Sequence, residues 1–553
     1  MAIMSGGQAV VKALMNEGID VVFGVPGVQI MHIYDGFFNQ SDIEVISCRH
    51  EQTTVYMADG YARSTGKIGV ALVVPGPGAY NAGAAMSTAY ATSSPVILIS
   101  GQIDSNAIGK DFGALHEIEN QLGFMSPVVK WNDMVNKTEA IPEIIHRAIQ
   151  EVSTGRPRPV EIEIPPDLLA NEQNIEFVEK EIFTPLEPDI NEIANAIDIN
   201  MKSKKPVIWA GGCANLSDSS GVLVELAESL NAPVITTPEG KGAIPESHAL
   251  NMGTSSYGFG PSKNIIPESD VMIVIGSRLG SYRPETGSVP HENMKLININ
   301  IDPTEIGKTY NADVGIVSDA KTGIQAILDI LKSKNYNSNW DSSYLAETKN
   351  GYRSHLLDIA PRQVELLQSI RNVLPKDTFV ISGVTNMGSW SSIALDMFEP
   401  RTFITSSYMG TLGYAFPTSL GVKVGNPSKP VISLCGDGGF MYGIGELATA
   451  VQYGINVVTV VFNNHRYGAS NKDQNLRFKG RTVGTELHNP DFVQLAESFG
   501  VKGIKVNSLD ESSKAIEAAL DMNAPVVVEI ELPSDLNFPY YICLLYTSPS
   551  PRD

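Results

Sequence analysis

A pattern that occurs twice constrains this chain more than any other feature. Gly60-Tyr61-Ala62 recurs as Gly413-Tyr414-Ala415, and Gly76-Pro77-Gly78 as Gly436-Asp437-Gly438. VEIEIPPDL, from Val160, recurs as VEIELPSDL, from Val528. The offsets of 353, 360 and 368 residues rise smoothly, as small insertions in a duplicated domain would make them. Around these landmarks, short β-branched runs such as VALVV and VILIS alternate with helical patterns, the signature of parallel α/β domains. The copies differ where chemistry is decided. Only the later one places an acid, Asp437, in its glycine turn, and only the earlier one places Glu51 shortly before its GYA element.

The 553 residues suffice for about three domains at roughly 150 residues each. Two polar stretches read as linkers, 171–190 and about 335–352; the first holds six acidic residues and one Lys. The expected fold is α/β with three parallel-sheet domains. The duplicated domains span 1–170 and 358–538, and a nucleotide-binding-like central domain spans 191–335. The formal net charge of −21 argues against nucleic acid and against an anionic membrane surface as partners. No apolar run approaches 18 residues, so no spanning segment is expected, and the cytoplasm is the default location. Cys48, Cys213, Cys435 and Cys543 form no C-x-x-C pair, so neither a disulfide framework nor a zinc site is expected. Residues 542–553, ICLLYTSPSPRD, break with the pattern before them and read as a non-native tail.

The strongest local signal is VISLCGDGGFMYGIGELATAVQYGINVVTVVFNN, residues 431–464. A strand ends in Gly436-Asp437-Gly438-Gly439, a helix is expected over about 441–452, and a second strand ends in Asn463-Asn464. Such a unit puts both strand ends on one edge of the sheet, where α/β ligands bind. The glycines let backbone N–H groups approach phosphate oxygens. Asp437 and Asn464 offer a carboxylate and an amide oxygen, hard ligands that suit Mg²⁺ or Ca²⁺ beside a diphosphate, and the carbonyl of Arg466 would complete the set. The turn lacks G-x-G-x-x-G and has no following Lys-Ser/Thr, so it is neither a dinucleotide fingerprint nor a P-loop.

The GDG-to-NN element resembles the thiamine-diphosphate motif. With FGVPG (including Gly27), RHEQ, MADGYAR, GPGAYN (including Gly78 and Asn81) and SPVILISGQ, it resembles the acetolactate synthase-like family of 2-oxo acid decarboxylases and carboligases. The resemblance runs to about residue 538. It implies a pyrimidine domain, a central domain and a diphosphate domain. It also implies thiamine diphosphate with Mg²⁺, a small 2-oxo acid substrate, and a homodimer or homotetramer with the active site at the subunit interface. In that family a Glu at the position of Glu51 bonds N1′ of the aminopyrimidine and favours the tautomer that takes the C2 proton. By the same match, SSYMGTLGYAFP from Ser406 grips the pyrimidine through the Gly410 carbonyl, and Leu412 is the apolar wedge that bends the cofactor.

The chain departs from acetolactate synthases near the substrate. They usually carry Phe-Gln where this chain has Leu115-His116, a Trp where Asp473 falls, and a Met where Leu412 falls. Leu115, His116 and Asp473 are therefore expected to line the substrate side, with His116 placed to relay protons or meet a substrate carboxylate. The main reading is decarboxylation followed by carboligation. The rivals are a plain decarboxylase releasing an aldehyde and a noncatalytic nucleotide-binding subunit. In the central domain, VIWAGG from Val207 permits a nucleotide. However, SRLGSYRPE stands where an FDDR-like element is common, so FAD, ADP and an empty domain stay open.

Overall fold

The computed structural model describes residues 2–38, 40–256, 258–280, 290–533 and 535–539. The tail at 542–553 lies outside them. Strands β1 (Ala2–Ser5) and β8 (Glu172–Ile175) form a small antiparallel pair. The first six-stranded sheet holds β2 (Val21–Gly24), β3 (Glu44–Ser47), β4 (Gly69–Val73), β5 (Val96–Gly101), β6 (Trp131–Met134) and β7 (Val160–Ile164). The central sheet holds β9 (Pro206–Ala210), β10 (Val234–Thr236), β11 (Asn251–Thr254), β12 (Val271–Ile275), β13 (Lys295–Asn300) and β14 (Val314–Val317). The last holds β15 (Phe379–Ser382), β16 (Phe403–Thr405), β17 (Val431–Gly436), β18 (Val458–Asn463), β19 (Lys502–Val506) and β20 (Val526–Glu531).

All three six-stranded sheets are parallel throughout. β4, β5, β9, β12 and β18 are buried along their whole length, as helices on both faces require, which is why they read as largely apolar runs; β7 is equally buried although Glu161 and Glu163 alternate with its Val and Ile. The outer sheets share one topology. The order β3-β2-β4-β5-β7-β6 in the first matches β16-β15-β17-β18-β20-β19 in the last, strand for strand. Two of the three repeated motifs fall at equivalent places: Gly76 and Gly436 each cap a helix after the third strand of their sheet, and the VEIE runs lie in β7 and β20.

The GYA match does not. Gly60 lies inside the helix Glu51–Thr65, whereas Gly413 precedes the helix Ala415–Gly425. These two helices pack on each other, and the glycine at the later contact is Gly421. A Cβ on Gly60 would stand 2.2 Å from the Thr418 carbonyl oxygen, and one on Gly421 would stand 1.9 Å from that of Met57. The counterpart of Gly60 is therefore Gly421; close backbone approach, not the tripeptide, is what both copies keep.

The first expected linker runs without helix or strand from 176 to 189, whereas the second is helical for much of its length: Ser342–Ile359 is an 18-residue helix. Its buried residues are Leu345, packed in the central core, and Leu356, packed in the core of the last domain. A helix with one anchor in each of two domains has no continuous apolar stripe to read.

The three domains meet at Arg63, which is 7% exposed. Its guanidinium donates to the Thr405 carbonyl (2.6 Å), the Tyr414 hydroxyl (2.8 Å) and Glu239 Oε2 (2.5 Å), while Tyr414 donates to Asp59 at 2.7 Å. Asp59, Glu239 and Tyr414 raise the Arg63 pKa against the opposing effect of burial. Among the described residues no helix is long and apolar enough to cross a membrane.

Candidate functional site

The parallel register of β17 and β18 sets Gly436 opposite Phe462, so Asp437 and Asn463 emerge side by side at one sheet edge. Asp437 is 3% exposed, and burial raises its pKa although hydrogen bonds to the carboxylate oppose this. Asn489 Nδ2 bridges the two strand ends, donating to Asp437 Oδ2 at 2.6 Å and to Asn463 Oδ1 at 2.9 Å. Asn463 in turn donates to Glu529 at 2.9 Å. Asn464 is half-buried beside them; a Cβ on Gly468 would lie 3.0 Å from its amide nitrogen. Arg466 is also half-buried. The sequence pointed to Asp437 and Asn464 but not to Asn463 as the buried anchor or to Asn489, whose only signal is the HNPDF run 26 residues further on.

The donor set fits a hard divalent cation next to a diphosphate: one buried carboxylate, with amide and backbone oxygens close by, while the nearby His465 ring is engaged by Glu531 at 2.9 Å. The cradle also fits. A Cβ on Gly438 would meet Tyr467 at 2.7 Å, whereas the space beside Gly439 is open to 3.8 Å. Asn386 begins the helix Asn386–Ala394 behind this turn, and its side-chain oxygen is buried without a hydrogen-bond partner. That oxygen is an acceptor, and Asn386 Nδ2 already donates to the Leu536 carbonyl at 3.2 Å, so the orphan suits a cation or a donor rather than a phosphate oxygen.

The helix expected over 441–452 is broken. Asp437–Phe440 forms one short turn of helix, and Glu446–Tyr453 a second helix. Gly443 and Gly445 supply the break, and each lets a neighbour come near: a Cβ there would lie 3.2 Å from Pro417 and 3.5 Å from Arg49 respectively. The break aims the buried Glu446 at the first domain. There it accepts from the Arg49 backbone N–H at 2.9 Å and from Thr53 Oγ1 at 2.5 Å.

Glu51 opens the helix Glu51–Thr65 directly after these contacts and is half-buried. Asn81 Nδ2 donates to Glu51 Oε2 at 2.9 Å from the helix Pro77–Thr92. Gly78 lies between them and the wall: a Cβ on it would sit 3.6 Å from Glu51 Cγ and 2.8 Å from Val74. Val74 also bars any side chain at Gly27, at 2.2 Å.

The Leu115-His116 loop lies on this edge. Leu115 offers its carbonyl to Gln29 Nε2 at 3.0 Å and leaves its side chain 63% exposed. His116 adopts φ +67°, its carbonyl stands 2.5 Å from where a Gly76 Cβ would be, and its Nδ1 is buried without a partner. Behind the Gly76 turn is a buried relay: Gly76 N–H donates to Gln121 Oε1 (2.8 Å), Gln121 Nε2 to Ser100 Oγ (3.0 Å), and Ser100 Oγ to Glu161 (3.1 Å). Burial pushes Glu161 up to about 8, helped by neighbouring Glu163, and burial pushes Glu163 up to about 7.

The segment expected to grip a pyrimidine joins the two edges. Thr411 Oγ1 lies 2.9 Å from Thr88 Oγ1, on the helix that carries Asn81. Gly410 takes φ +60° with open space beside it, and Leu412 is half-buried. Gly413 N lies 3.8 Å from where a Gly439 Cβ would be. The 410–413 segment thus touches the Asn81 helix at Thr88 and comes near the GDGG turn at Gly439. Asp473 stands apart from them, on the helix Gly468–Arg477, with its carboxylate accepting from Arg477 Nε at 2.9 Å and its side chain 37% exposed.

The central domain's glycine turns pack on each other: a Cβ on Gly211 would meet the Gly276 carbonyl oxygen at 2.4 Å, and Gly276 turns at φ +56° against Cys213. Residues 281–285 of SRLGSYRPE lie outside the described residues. Among the described residues no three His, Cys, Asp or Glu side chains group as metal ligands.

Residues 4–124 match the N-terminal TPP binding domain of thiamine pyrophosphate enzymes, residues 191–327 the central domain, and residues 383–530 the C-terminal TPP binding domain. The chain is 37% identical to the acetolactate synthase large subunit of Haemophilus influenzae, covering 96% of this chain and 94% of that one. It is 35% identical to the probable acetolactate synthase large subunit of Methanococcus aeolicus, covering 96% and 92%. Against isozyme 3 large subunit of Escherichia coli it is 32% identical, covering 94% and 93%. With the three domains in order and relatives aligned over nearly the whole length, the chain belongs to the acetolactate synthase-like family of thiamine pyrophosphate enzymes.

Proposed function

We propose that the chain decarboxylates a small 2-oxo acid and joins the remaining acyl unit to a second 2-oxo acid, using thiamine diphosphate and Mg²⁺. The carrying observation is the pair of differently equipped edges on duplicated sheets: Glu51 held by Asn81 on one, Asp437 beside Asn463 and Asn464 on the other. The names of the relatives, acetolactate synthase large subunit, support carboligation over simple aldehyde release.

Bound thiamine diphosphate supplies the nucleophile and the electron sink for cleavage beside a carbonyl. This chain's residues bind and tune. Asp437, Asn464 and the Arg466 carbonyl would hold the cation; Gly439 leaves room for the diphosphate, while Gly436 and Gly438 let the turn pack closely on Thr385 and Tyr467. Glu51 holds or releases a proton on its carboxylate, and Asn81 fixes that carboxylate's direction by donating to Oε2. The Gly410 carbonyl and Leu412 set the pyrimidine end, while Gly27 and Gly78 keep the Val74 wall close. His116 offers a buried, unpartnered Nδ1 from the substrate side, next to Leu115, and Asp473, paired with Arg477 on its own helix, would meet a substrate only from outside this group. The working assembly in this reading is a homodimer or homotetramer with the two edges paired across subunits, and "large subunit" in the relatives' names adds a smaller companion chain. FAD has no role in this proposal.

The test is product analysis with pyruvate, alone and with 2-oxobutyrate, in the presence of thiamine diphosphate and Mg²⁺. Coupled 2-hydroxy-3-oxo acids are expected. Aldehyde alone would overturn carboligation, and no turnover of any 2-oxo acid would overturn the whole reading.

A further inference from the structure

A cavity of about 250 Å³, lined by none of the residues of the Glu51 and Asp437 edges, lies between the central and last domains. It is closed on one side by the helix Ser342–Ile359 and on the other by the helix Pro361–Val373. Met252, Leu356, Val364 and Ile393 give it an apolar wall. Its size falls just below the range for drug-sized ligands, so it suits a small molecule.

The polar groups of the cavity are unevenly satisfied. Both acids are already engaged. Glu246 is bonded by Lys241 and by the Met397 backbone N–H, and Asp396 is held by Arg353 through both oxygens at 2.9 and 3.1 Å. Lys349 Nζ donates to the Glu246 and His248 carbonyls at 2.9 and 3.0 Å, which leaves one of its three protons. Two donors have nothing. Arg371 is 8% exposed; its Nη2 is bonded to the Leu374 and Pro375 carbonyls, but its Nη1 is buried without a partner. The Tyr352 hydroxyl is likewise buried and unpartnered.

A buried cationic N–H and a buried phenol left without acceptors are expensive, and native proteins rarely keep two in one cavity unless something accepts from them. What is missing is an acceptor, and beside Arg371 a charged acceptor gains most. The hydrocarbon wall adds a second requirement, an apolar body of a few carbons. We propose that this interdomain cavity is a binding site for a small monocarboxylate with a short branched or unbranched hydrocarbon tail, its carboxylate held by Arg371 Nη1 and the Tyr352 hydroxyl. Because the ligand touches both domains and the helix that joins them, it would brace the central domain against the last one, outside the site where chemistry occurs.

The test is calorimetric titration of the full chain with isobutyrate, with inorganic phosphate, and with the neutral isostere isobutyramide. Isobutyrate is expected to bind one per chain, and isobutyramide at least tenfold more weakly. Arg371→Met should weaken isobutyrate at least tenfold. Tyr352→Phe should weaken it several-fold; this variant keeps the ring and its packing, so it decides the matter even where Arg371→Met fails to fold. Binding of isobutyrate at a catalytic edge would be indifferent to Tyr352→Phe and would overturn the assignment. So would the absence of isobutyrate binding, which would leave a hydrated void, and so would binding of phosphate without isobutyrate, which would mean a different anion.

Discussion

Glu161→Gln tests how burial governs the first domain. Glu161 and Glu163 lie two residues apart on β7, on one face, exposed by 0 and 1%. Both are held above the ordinary carboxyl value of 4.5, Glu161 at about 8 and Glu163 at about 7. The folded state therefore keeps a proton that the unfolded chain releases. Stability from this source is complete below pH 4.5 and is lost as pH rises, by about 1.4 kcal/mol per pH unit for each proton retained. Counting one proton for the coupled pair, about 3 kcal/mol disappears between pH 5 and 7. A glutamine in place of Glu161 is neutral throughout and still accepts from Ser100 Oγ. Against this, its NH₂ would face Asn132 Nδ2, now 3.3 Å from Glu161 Oε2, at a cost of about 1 kcal/mol. The variant should thus be slightly less stable than wild type at pH 5 and more stable by about 2 kcal/mol at pH 7.5. Urea unfolding of both proteins at pH 5, 6, 7 and 8, followed by circular dichroism, measures the difference directly. Stability curves that run parallel across that range would refute the reasoning.

Glu51→Gln should leave cofactor binding intact and lower turnover by about 10²–10⁴-fold, the usual range for a lost proton-transfer group; steady-state kinetics at saturating cofactor measures this. Asp437→Ala should weaken Mg²⁺ and thiamine diphosphate together, and titration of each in the presence and absence of the other would reveal any independence. Asp473→Trp should shift kcat/KM toward pyruvate and away from longer 2-oxo acids by roughly 1–3 kcal/mol. An unchanged ratio would mean that the Asp473–Arg477 pair faces solvent only.

The sequence-level reading succeeded where one residue type must recur for a physical reason. Most of the buried parallel strands are apolar, β-branched runs, and the turns at Gly76 and Gly436 follow the same strand in each copy. It failed where the reason lay in a distant partner. The GYA match was out of register because what matters at Gly60 is the Thr418 carbonyl, more than 350 residues away. The helix break at Gly443 and Gly445 serves Pro417 and Arg49, the latter almost 400 residues away. Asn489 reads as a helix-preceding loop residue until the fold folds it back onto Asp437 and Asn463. The helix Ser342–Ile359 escaped notice because each of its two anchors belongs to a different core. Of the substrate-side expectations, the Leu115-His116 loop does lie beside the Gly76 turn, whereas Asp473 is engaged by its own helix through Arg477.

The Arg63 junction governs how this protein can be divided. Excising the first domain would strip its guanidinium of the Glu239, Thr405 and Tyr414 acceptors at once, leaving Asp59, 3.7 Å away, as its only counter-charge. Excising the central domain would leave Glu239 without its cation, and the last domain would lose the donor to a buried tyrosine. Each piece would carry a polar group shaped for a neighbour it no longer has, facing water where its partner had been. Shuffling domains between relatives therefore has to carry Arg63, Glu239 and Tyr414 as a set, even though they sit in three different modules and nowhere near one another in the sequence.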